Sequence, residues 1–366
     1  MSNAALAEQE VKAFQETFHT LQRELAQVIV GQQDTVEGLL VAFFAGGHVL
    51  LEGVPGLGKT LLVKSFSQTL ALDFKRVQCT PDLMPADILG TQLVIDQGGK
   101  KEFTFAHGPV FTNILLADEI NRATPKTQAA LLEAMAEKQV TVAGKTHPLK
   151  DPFFVMATQN PIEMEGTYTL PEAQLDRFLF KLNVSFPRKE DLAKILAQTT
   201  TTSHYQIQPA FAPGEAVERI AQLRRLVREV LAARQVEQYI VQMIMATQPA
   251  GPDVAPAPAP EPTSSGPPVK GKPAAPPKEL PGASAKRLAD RFVTYGASPR
   301  GAQAVMLGAK VYALMDGRVN VSLEDVDRVV VPALNHRVVL NFEAEAEHIT
   351  STRILNELRT VIKGSL

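Results

Sequence analysis

Residues 53–60 read Gly53-Val54-Pro55-Gly56-Leu57-Gly58-Lys59-Thr60, and they follow the apolar run Val49-Leu50-Leu51. They match the pattern G-x-x-x-x-G-K-[ST], in which a strand leads through a glycine-rich loop into a helix. Glycines let backbone N–H groups turn toward a phosphate at the helix N-terminus, while the lysine neutralises phosphate oxygens. The threonine hydroxyl is a ligand for Mg²⁺. This stretch therefore predicts a binding site for ATP with Mg²⁺.

An acidic pair ends a second apolar run further along the chain. The segment Asn113-Ile114-Leu115-Leu116-Ala117 is followed by Asp118 and Glu119. At the end of a strand, Asp118 can hold the metal, and Glu119 is placed to polarise the water that attacks the γ-phosphate. Two acids at this position could instead cap a following helix. The phosphate loop upstream requires an acidic partner and favours the metal-binding interpretation.

A third apolar run, from Phe153 to Ala157, ends in Thr158, Gln159 and Asn160. Ligands of open α/β sheets bind beyond the carboxyl ends of the strands. We therefore expect Asn160 to point at the γ-phosphate and the attacking water. Asn before a proline is also an ordinary turn, and this run alone leaves both interpretations open.

Short apolar runs alternate with helical patterns through the first half of the chain, which predicts a parallel five-stranded α/β sheet. The predicted strands are His48–Glu52, Phe74–Cys79, Asn113–Ala117, Phe153–Ala157 and Arg177–Val184. Two further stretches alternate apolar and polar residues around glycines, and they predict inserted β-hairpins. These lie near 93–105, with Gly98 and Gly99 at the tip, and near 140–149, with Gly144.

The rest of the chain is predicted to be helical. An amphipathic helix with apolar residues at three- and four-residue spacing occupies 1–29, the α/β domain 30–187, and an all-α domain 188–366. The helical domain is interrupted at 249–284, a segment that holds 12 of the chain's 26 prolines. We interpret this segment as a linker, with a proline-rich docking peptide as the alternative.

Composition limits the class of protein. The 366 residues carry 37 Lys and Arg against 39 Asp and Glu, so charge does not support nucleic-acid binding. The longest apolar run, 39–51, is too short to span a bilayer, and the N-terminus has no secretory pattern. We therefore expect a cytoplasmic protein. The single cysteine, Cys79, is expected to be a buried thiol without chemistry.

Together these segments resemble the AAA+ ATPases, and within them the MoxR family. The matching strings are Val30-Gly31-Gln32, the phosphate loop, 117–123, 157–161, 170–178 and 296–301. The resemblance implies a P-loop sheet domain followed by an all-α lid, with the nucleotide clamped between them. It implies that Val30, Gly31 and Gln32 lie near the adenine and that Asn160 is a sensor. The predicted nucleotide-binding residues are Val30, Gly31, Gln32, Gly53, Val54, Pro55, Gly56, Leu57, Gly58, Lys59, Thr60 and Leu61.

Two arginines follow from the same comparison. Ser298-Pro299-Arg300 reads as a helix cap, a first helical residue and an arginine, and the resemblance makes Arg300 a sensor of the same chain's nucleotide. The alternative is a surface arginine that caps a carbonyl. The resemblance makes Arg177 an arginine finger inserted into the next subunit's site, and a salt bridge with Asp176 or Glu172 is its alternative. A finger supplied by a neighbour implies a closed ring, six copies being expected.

The function implied is a chaperone-like ATPase that remodels or matures partner complexes, often alongside a protein with a von Willebrand factor A domain. The first hairpin, with Lys100, Lys101, Phe103 and Phe105, is either a gripping surface at the pore or an ordinary solvated hairpin. A nucleic-acid motor of the helicase type is the alternative function. A P-loop kinase or GTPase is disfavoured, since the sequence has no Asn-Lys-x-Asp guanine signature and that reading leaves both arginines unexplained.

Overall fold

The computed structural model describes residues 3–97, 100–161, 166–201, 205–249 and 283–364. Its helices are α1 Asn3–Val28, α2 Gln33–Ala45, α3 Lys59–Thr69, α4 Pro85–Leu89, α5 Pro125–Glu137, α6 Glu172–Leu175, α7 Lys189–Thr199, α8 Ala216–Glu229, α9 Arg234–Thr247, α10 Ala283–Phe292, α11 Pro299–Met315, α12 Leu323–Leu334, α13 Phe342–Ala346 and α14 Ser351–Lys363. Its strands are β1 His48–Glu52, β2 Phe74–Gln78, β3 Gly90–Gln97, β4 Lys100–His107, β5 Ile114–Asp118, β6 Gln139–Val142, β7 Lys145–Pro148, β8 Phe154–Gln159, β9 Phe178–Asn183, β10 Leu231–Ala232, β11 Val293–Tyr295, β12 Asn320–Val321 and β13 Val339–Leu340.

The predicted five-stranded parallel sheet is confirmed. Its strand order is β2-β5-β8-β1-β9, and every neighbouring pair is parallel. The order places β8 between β1, which leads into the glycine-rich loop, and β5, which ends in Asp118. All three predicted site elements therefore end at one edge of the sheet.

Alternate residues of the central strands enter two different cores. In β5, Ile114 and Leu116 pack on one side of the sheet, and Leu115 and Ala117 pack on the other. This period of two follows from the pleat of a strand. Because both faces are covered, the strand is a continuous apolar run, as the sequence pattern predicted.

The predicted amphipathic helix is confirmed as α1. Its apolar stripe of Val11, Phe14, Phe18, Leu21 and Leu25 is at most 4% exposed. The helix packs on α2, α3 and α11, so it joins the core on one face of the sheet. None of the helices within the described ranges has both the length and the apolar character needed to cross a bilayer.

The C-terminal region is helical as predicted, with two small ladders that the pattern did not show. β10 pairs with β12, and β11 pairs with β13. Helices α11 and α12 pack on each other, and both contact β9 at the border of the sheet. The proline-rich segment predicted at 249–284 lies outside the described residues, except at its ends.

Both inserted hairpins are present in the structure. The strands β3 and β4 pair antiparallel, and so do β6 and β7, whose turn contains Gly144 in a left-handed conformation. The tip predicted at Gly98 and Gly99 lies outside the described residues. The Phe105 ring stacks on the His147 ring with 4.1 Å between ring centroids. The two hairpins are therefore packed against each other.

Candidate functional site

The glycine-rich loop joins the carboxyl end of β1 to the start of α3. Gly56 and Gly58 have φ angles of +83° and +75°, in the left-handed region that favours glycine. A Cβ on Gly53 would lie 2.7 Å from the Val184 carbonyl oxygen, closer than a side chain tolerates. These glycines hold a conformation that other residues disfavour, with the loop backbone open at Gly56 and Gly58.

The start of α3 has no side-chain cap, so its leading N–H groups can turn to a phosphate. The Lys59 ammonium donates to the Gly53 carbonyl over 2.5 Å and thus folds back over the loop. Thr60 follows in the first turn of the helix and is half-buried. The loop, the lysine and the helix start therefore form one continuous cradle at the carboxyl end of β1.

The Asp118 carboxylate lies at the carboxyl end of β5 and is 8% exposed. One of its oxygens accepts a hydrogen bond from the Thr158 hydroxyl at 2.6 Å. The other pairs with the Arg76 guanidinium at 2.7 Å. A carboxylate and the Thr60 hydroxyl are hard oxygen ligands, which is the donor set that Mg²⁺ takes beside phosphates. The residues present therefore fit the predicted metal.

Glu119 has an unusual backbone conformation, with a φ of +57°. Its N–H donates to the Thr158 hydroxyl over 2.8 Å, which holds the turn in place. Its carboxylate accepts from the Gln78 amide at 2.8 Å and from the Arg122 guanidinium at 3.0 Å. Left-handed backbone at a residue other than glycine is uncommon and clusters at functional sites.

Asn160 follows β8 and is 4% exposed. In the register, Gln159 lies opposite Glu52 at the end of β1, one residue before the glycine-rich loop. Asn160 therefore lies at the same edge as the loop and the acidic pair, where the sequence predicted it. The Asn121 side chain donates to the Asn160 carbonyl at 3.5 Å.

Three side chains of this edge were missed by the sequence analysis. They are Arg76 and Gln78 on β2 and Thr158 on β8, and each contacts Asp118 or Glu119. The sequence did carry a signal for two of them. Arg76 and Gln78 lie two residues apart in β2, so the alternation of a strand places both on one face. Cys79 is buried, and burial raises the pKa of its thiol to about 12, with a further contribution from Asp118 and Glu119. Its thiol is buried, as expected.

A cavity of about 310 Å³ opens beside the glycine-rich loop and is predominantly apolar. Val30, Gln32 and Leu61 line it together with the loop. The Gln32 amide donates to the Leu57 carbonyl over 2.9 Å, which joins the segment before α2 to the loop. Gly31 borders an adjoining polar cavity instead. The size and apolar lining fit a purine base.

The far wall of this cavity was not predicted in detail. Phe186 and Pro187 contribute, and so do Leu192 and Ile195 of α7. The wall therefore comes from the segment that directly follows the sheet. The resemblance implied a nucleotide clamped by the lid, and among the described helices after residue 188, α7 is the one whose residues line the cavity.

Arg177 lies at the opposite edge of the sheet from the glycine-rich loop. It precedes Phe178, which pairs with His48 at the amino end of β1. From His48 to Glu52 the strand rises about 13 Å, and the loop lies beyond that. The Arg177 guanidinium donates to the Leu132 carbonyl at 2.6 Å. Among the described residues, neither Asp176 nor Glu172 forms the salt bridge with Arg177 that was its alternative role.

Arg300 lies at this same edge, on the side of the sheet away from its own chain's glycine-rich loop. Its guanidinium pairs with the Asp176 carboxylate at 3.8 Å and is 57% exposed. The direction of α11 explains this position. Its start packs beside Asp176, whereas Tyr312 near its end lines a cavity together with Asp34 at the other edge. We name the edge that carries Arg177 and Arg300 the arginine edge.

The comparisons with known proteins agree with this geometry. Residues 48–180 match the family described as "ATPase family associated with various cellular activities (AAA)", and residues 285–358 match the family described as "AAA lid domain". The chain is 39% identical over 347 residues to the chaperone MoxR1 of Mycobacterium tuberculosis. The aligned stretch covers 94% of this chain and 82% of that protein.

Two further similarities cover most of the chain. The chain is 32% identical over 329 residues to the protein MoxR of Methylorubrum extorquens. The aligned stretch covers 87% of this chain and 86% of that protein. The crystal structure of a candidate ATPase from Cytophaga hutchinsonii superimposes with a TM-score of 0.80 at 36% identity, with 97% of each chain covered. The sheet order, the phosphate loop and these similarities lead to one conclusion: the chain belongs to the MoxR family of AAA+ ATPases.

Proposed function

We propose that the chain hydrolyses ATP with Mg²⁺ at a site shared between two copies. One copy supplies the phosphate loop, Asp118, Glu119 and Asn160, and the next copy supplies Arg177 and Arg300. The observation that carries this proposal is the separation of the two sets on opposite edges of one sheet. An arginine at the far edge cannot serve its own chain's phosphates.

The residues around the phosphates have distinct roles in this proposal. Lys59 and the start of α3 bind the β- and γ-phosphates, and Thr60 and Asp118 hold the metal. Mg²⁺, when bound, neutralises charge on the phosphate oxygens. Asp118 exchanges its pairing with Arg76 for this role, which is possible because the Arg76 side chain is 45% exposed. Glu119 polarises the attacking water, and Asn160 orients it.

The arginines of the neighbouring copy act on the transferred phosphoryl group. Negative charge spreads over the γ-phosphate oxygens in the transition state, and a guanidinium placed there stabilises it. Removing an arginine supplied in this way lowers turnover by roughly 10³- to 10⁵-fold in other phosphoryl-transfer enzymes. The isolated chain is therefore a poor ATPase in this proposal.

A contact between two different surfaces is heterologous. The arginine edge of each copy therefore contacts the glycine-rich-loop edge of the next copy. Such contacts close into a ring when the rotation between copies allows it. We propose a ring of six copies as the working form.

The work done with ATP is, in this proposal, the remodelling or maturation of a partner protein complex. A relative named a chaperone supports it. So does the first hairpin, where Val94 and Phe103 lie opposite each other across the strands with 55% and 71% exposure. Exposed apolar pairs are suited to contact a client protein. We further propose a cytoplasmic location and a partner with a von Willebrand factor A domain.

The alternative, a nucleic-acid motor, is disfavoured by the comparisons and by the hairpin itself. Lys101 lies opposite Asp96 in the register, and Glu102 is its neighbour in β4. A lysine matched by two acids adds little to a basic ring of the kind that binds phosphate backbones.

Two measurements on the wild-type chain test the shared site. Molar mass by light scattering is measured with and without a slowly hydrolysed ATP analogue, and ATPase rate is measured against protein concentration. The proposal predicts assembly promoted by nucleotide and a specific activity that rises with concentration. A monomer whose turnover is independent of concentration contradicts it.

A further inference from the structure

Arg337, just after α12, has a guanidinium in which all five N–H donors are used. The Arg337 side chain is 3% exposed. It donates to the Asp176 carboxylate at 2.7 Å, to the carbonyls of Asp176, Phe178 and Leu179 at 3.0, 2.8 and 3.0 Å, and to the carbonyl of Ala333. A guanidinium has five N–H groups, so this one is saturated. Its partners bracket Arg177 on both sides along the chain.

The Asp176 carboxylate is the second half of this arrangement. One oxygen accepts from Arg337 and from the Ser298 hydroxyl at 2.9 Å. The other pairs with Arg300 at 3.8 Å. One carboxylate thus contacts the buried Arg337, the N-cap residue Ser298 of α11 and the exposed Arg300 of the same helix.

We propose that the buried pair of Asp176 and Arg337 is a positioning device that holds Arg177 and Arg300 together for the nucleotide of the neighbouring copy. This inference rests on the shared site proposed above. It adds two residues that touch neither nucleotide nor metal and act only through the two arginines.

The difference in exposure between the partners supports this role. The Asp176 side chain is 19% exposed and lies between Arg337, which is fixed, and Arg300, which is largely open to solvent. An exposed ion pair at 3.8 Å is weak and exchangeable. Arg300 can therefore leave Asp176 for a phosphate, while the tight bonds to Arg337 keep the backbone around Arg177 in place.

The test is Asp176→Asn in the full chain, since asparagine keeps the size of the side chain and removes its charge. We expect kcat for ATP to fall about 10- to 100-fold, as misplaced catalytic groups do. The KM for ATP stays within about twofold, because the variant's own nucleotide pocket lies at the other edge. Asp176→Glu keeps the charge and is expected to recover part of kcat. A raised KM with unchanged kcat overturns the proposal.

A mixing experiment separates positioning from folding. Asp176→Asn subunits, which keep an intact phosphate loop, are mixed with Glu119→Gln subunits, which keep an intact arginine edge. We expect the mixture to hydrolyse ATP at least several-fold faster than either variant alone. A mixture no faster than the sum of its parts overturns the proposal, because a variant that damages only its own fold is not helped by a neighbour.

Asp325→Asn is the matched control, since Asp325 is 1% exposed and pairs with Arg318 inside the C-terminal helical region. It is expected to lower the melting temperature without a loss of kcat below that temperature. Arg177→Ala mixed with Glu119→Gln is the reference for the shared site. Recovery in the reference mixture alone refutes the role of Asp176, whereas recovery in neither mixture refutes the shared site itself.

Discussion

At the scale of single residues, Asp118 and Glu119 are held in place by hydrogen bonds from adjacent strands. The Thr158 hydroxyl on β8 donates to Asp118 and accepts from the N–H of Glu119. It therefore fixes both acids with one oxygen. Gln78 on β2 donates to the Glu119 carboxylate from the other side, so the acid that polarises water in our proposal is restrained before nucleotide arrives.

Lys59→Ala and Glu119→Gln are predicted to fail in different ways. Loss of the Lys59 charge removes the main cation on the phosphates, so nucleotide binding is lost. Glu119→Gln keeps the cradle and is predicted to bind nucleotide with little change, while turnover falls roughly 10²- to 10⁴-fold. Titration with a fluorescent ATP analogue and a phosphate-release assay measure the two effects. An equal loss of binding in both variants refutes these roles.

His48 makes stability depend on pH. It is buried, its Nδ1 accepts from the Val155 N–H at 3.0 Å, and its Nε2 contacts the Met135 carbonyl at 3.3 Å. Burial lowers its pKa from 6.5 to about 4. The unfolded chain therefore binds a proton that the folded chain does not, and stability present above pH 6.5 is lost as pH falls toward 4.

This linkage predicts that the free energy of unfolding is about 2 kcal/mol smaller at pH 5 than at pH 7 through His48 alone. Burial also lowers the pKa of His336, which acts in the same direction. Urea unfolding of wild type and His48→Gln at the two pH values measures the effect. A variant with the same dependence on pH as wild type would show that His48 does not contribute.

At the scale of elements, the features that the sequence predicted correctly are those encoded by neighbouring residues. The phosphate loop, the acidic strand end and both hairpins each have a pattern within a few residues. The place of Arg300 depends instead on which way α11 lies across the sheet, and no pattern near residue 300 encodes that direction. Arg337 was missed for the same reason, because its five acceptors come from two separate segments of the chain.

The contact of α11 with β9 is predicted to depend on Gly308. A Cβ there would lie 2.7 Å from the nearest Val329 methyl carbon and 2.8 Å from the Phe180 ring. Gly308→Val should lower the free energy of unfolding by about 2 kcal/mol or more through overpacking. Gln303→Val, at an exposed position of the same helix, is the control and should change it by about 0.5 kcal/mol at most. Urea unfolding compares the two, and equal effects would contradict the packing described.

At the scale of the whole molecule, the site that we propose has two halves, and each chain carries both of them at separate places. The sheet separates them, with phosphate-binding groups beyond the carboxyl ends of its strands and the arginine edge beyond their amino ends. Arg300 in the first turn of α11 and Arg337 just after α12 belong to the second half. In the shared site that we propose, activity depends on the contact between copies and therefore on their concentration.

The most direct measurement of this claim is the ATPase rate of Arg177→Ala mixed with Glu119→Gln at a fixed total concentration. Each variant alone lacks one half of every site. In a mixed assembly, an Arg177→Ala subunit beside a Glu119→Gln subunit has both halves, so we predict that activity appears on mixing and is highest at intermediate ratios. Activity that stays at the sum of the two separate variants at every ratio would contradict a site shared between copies.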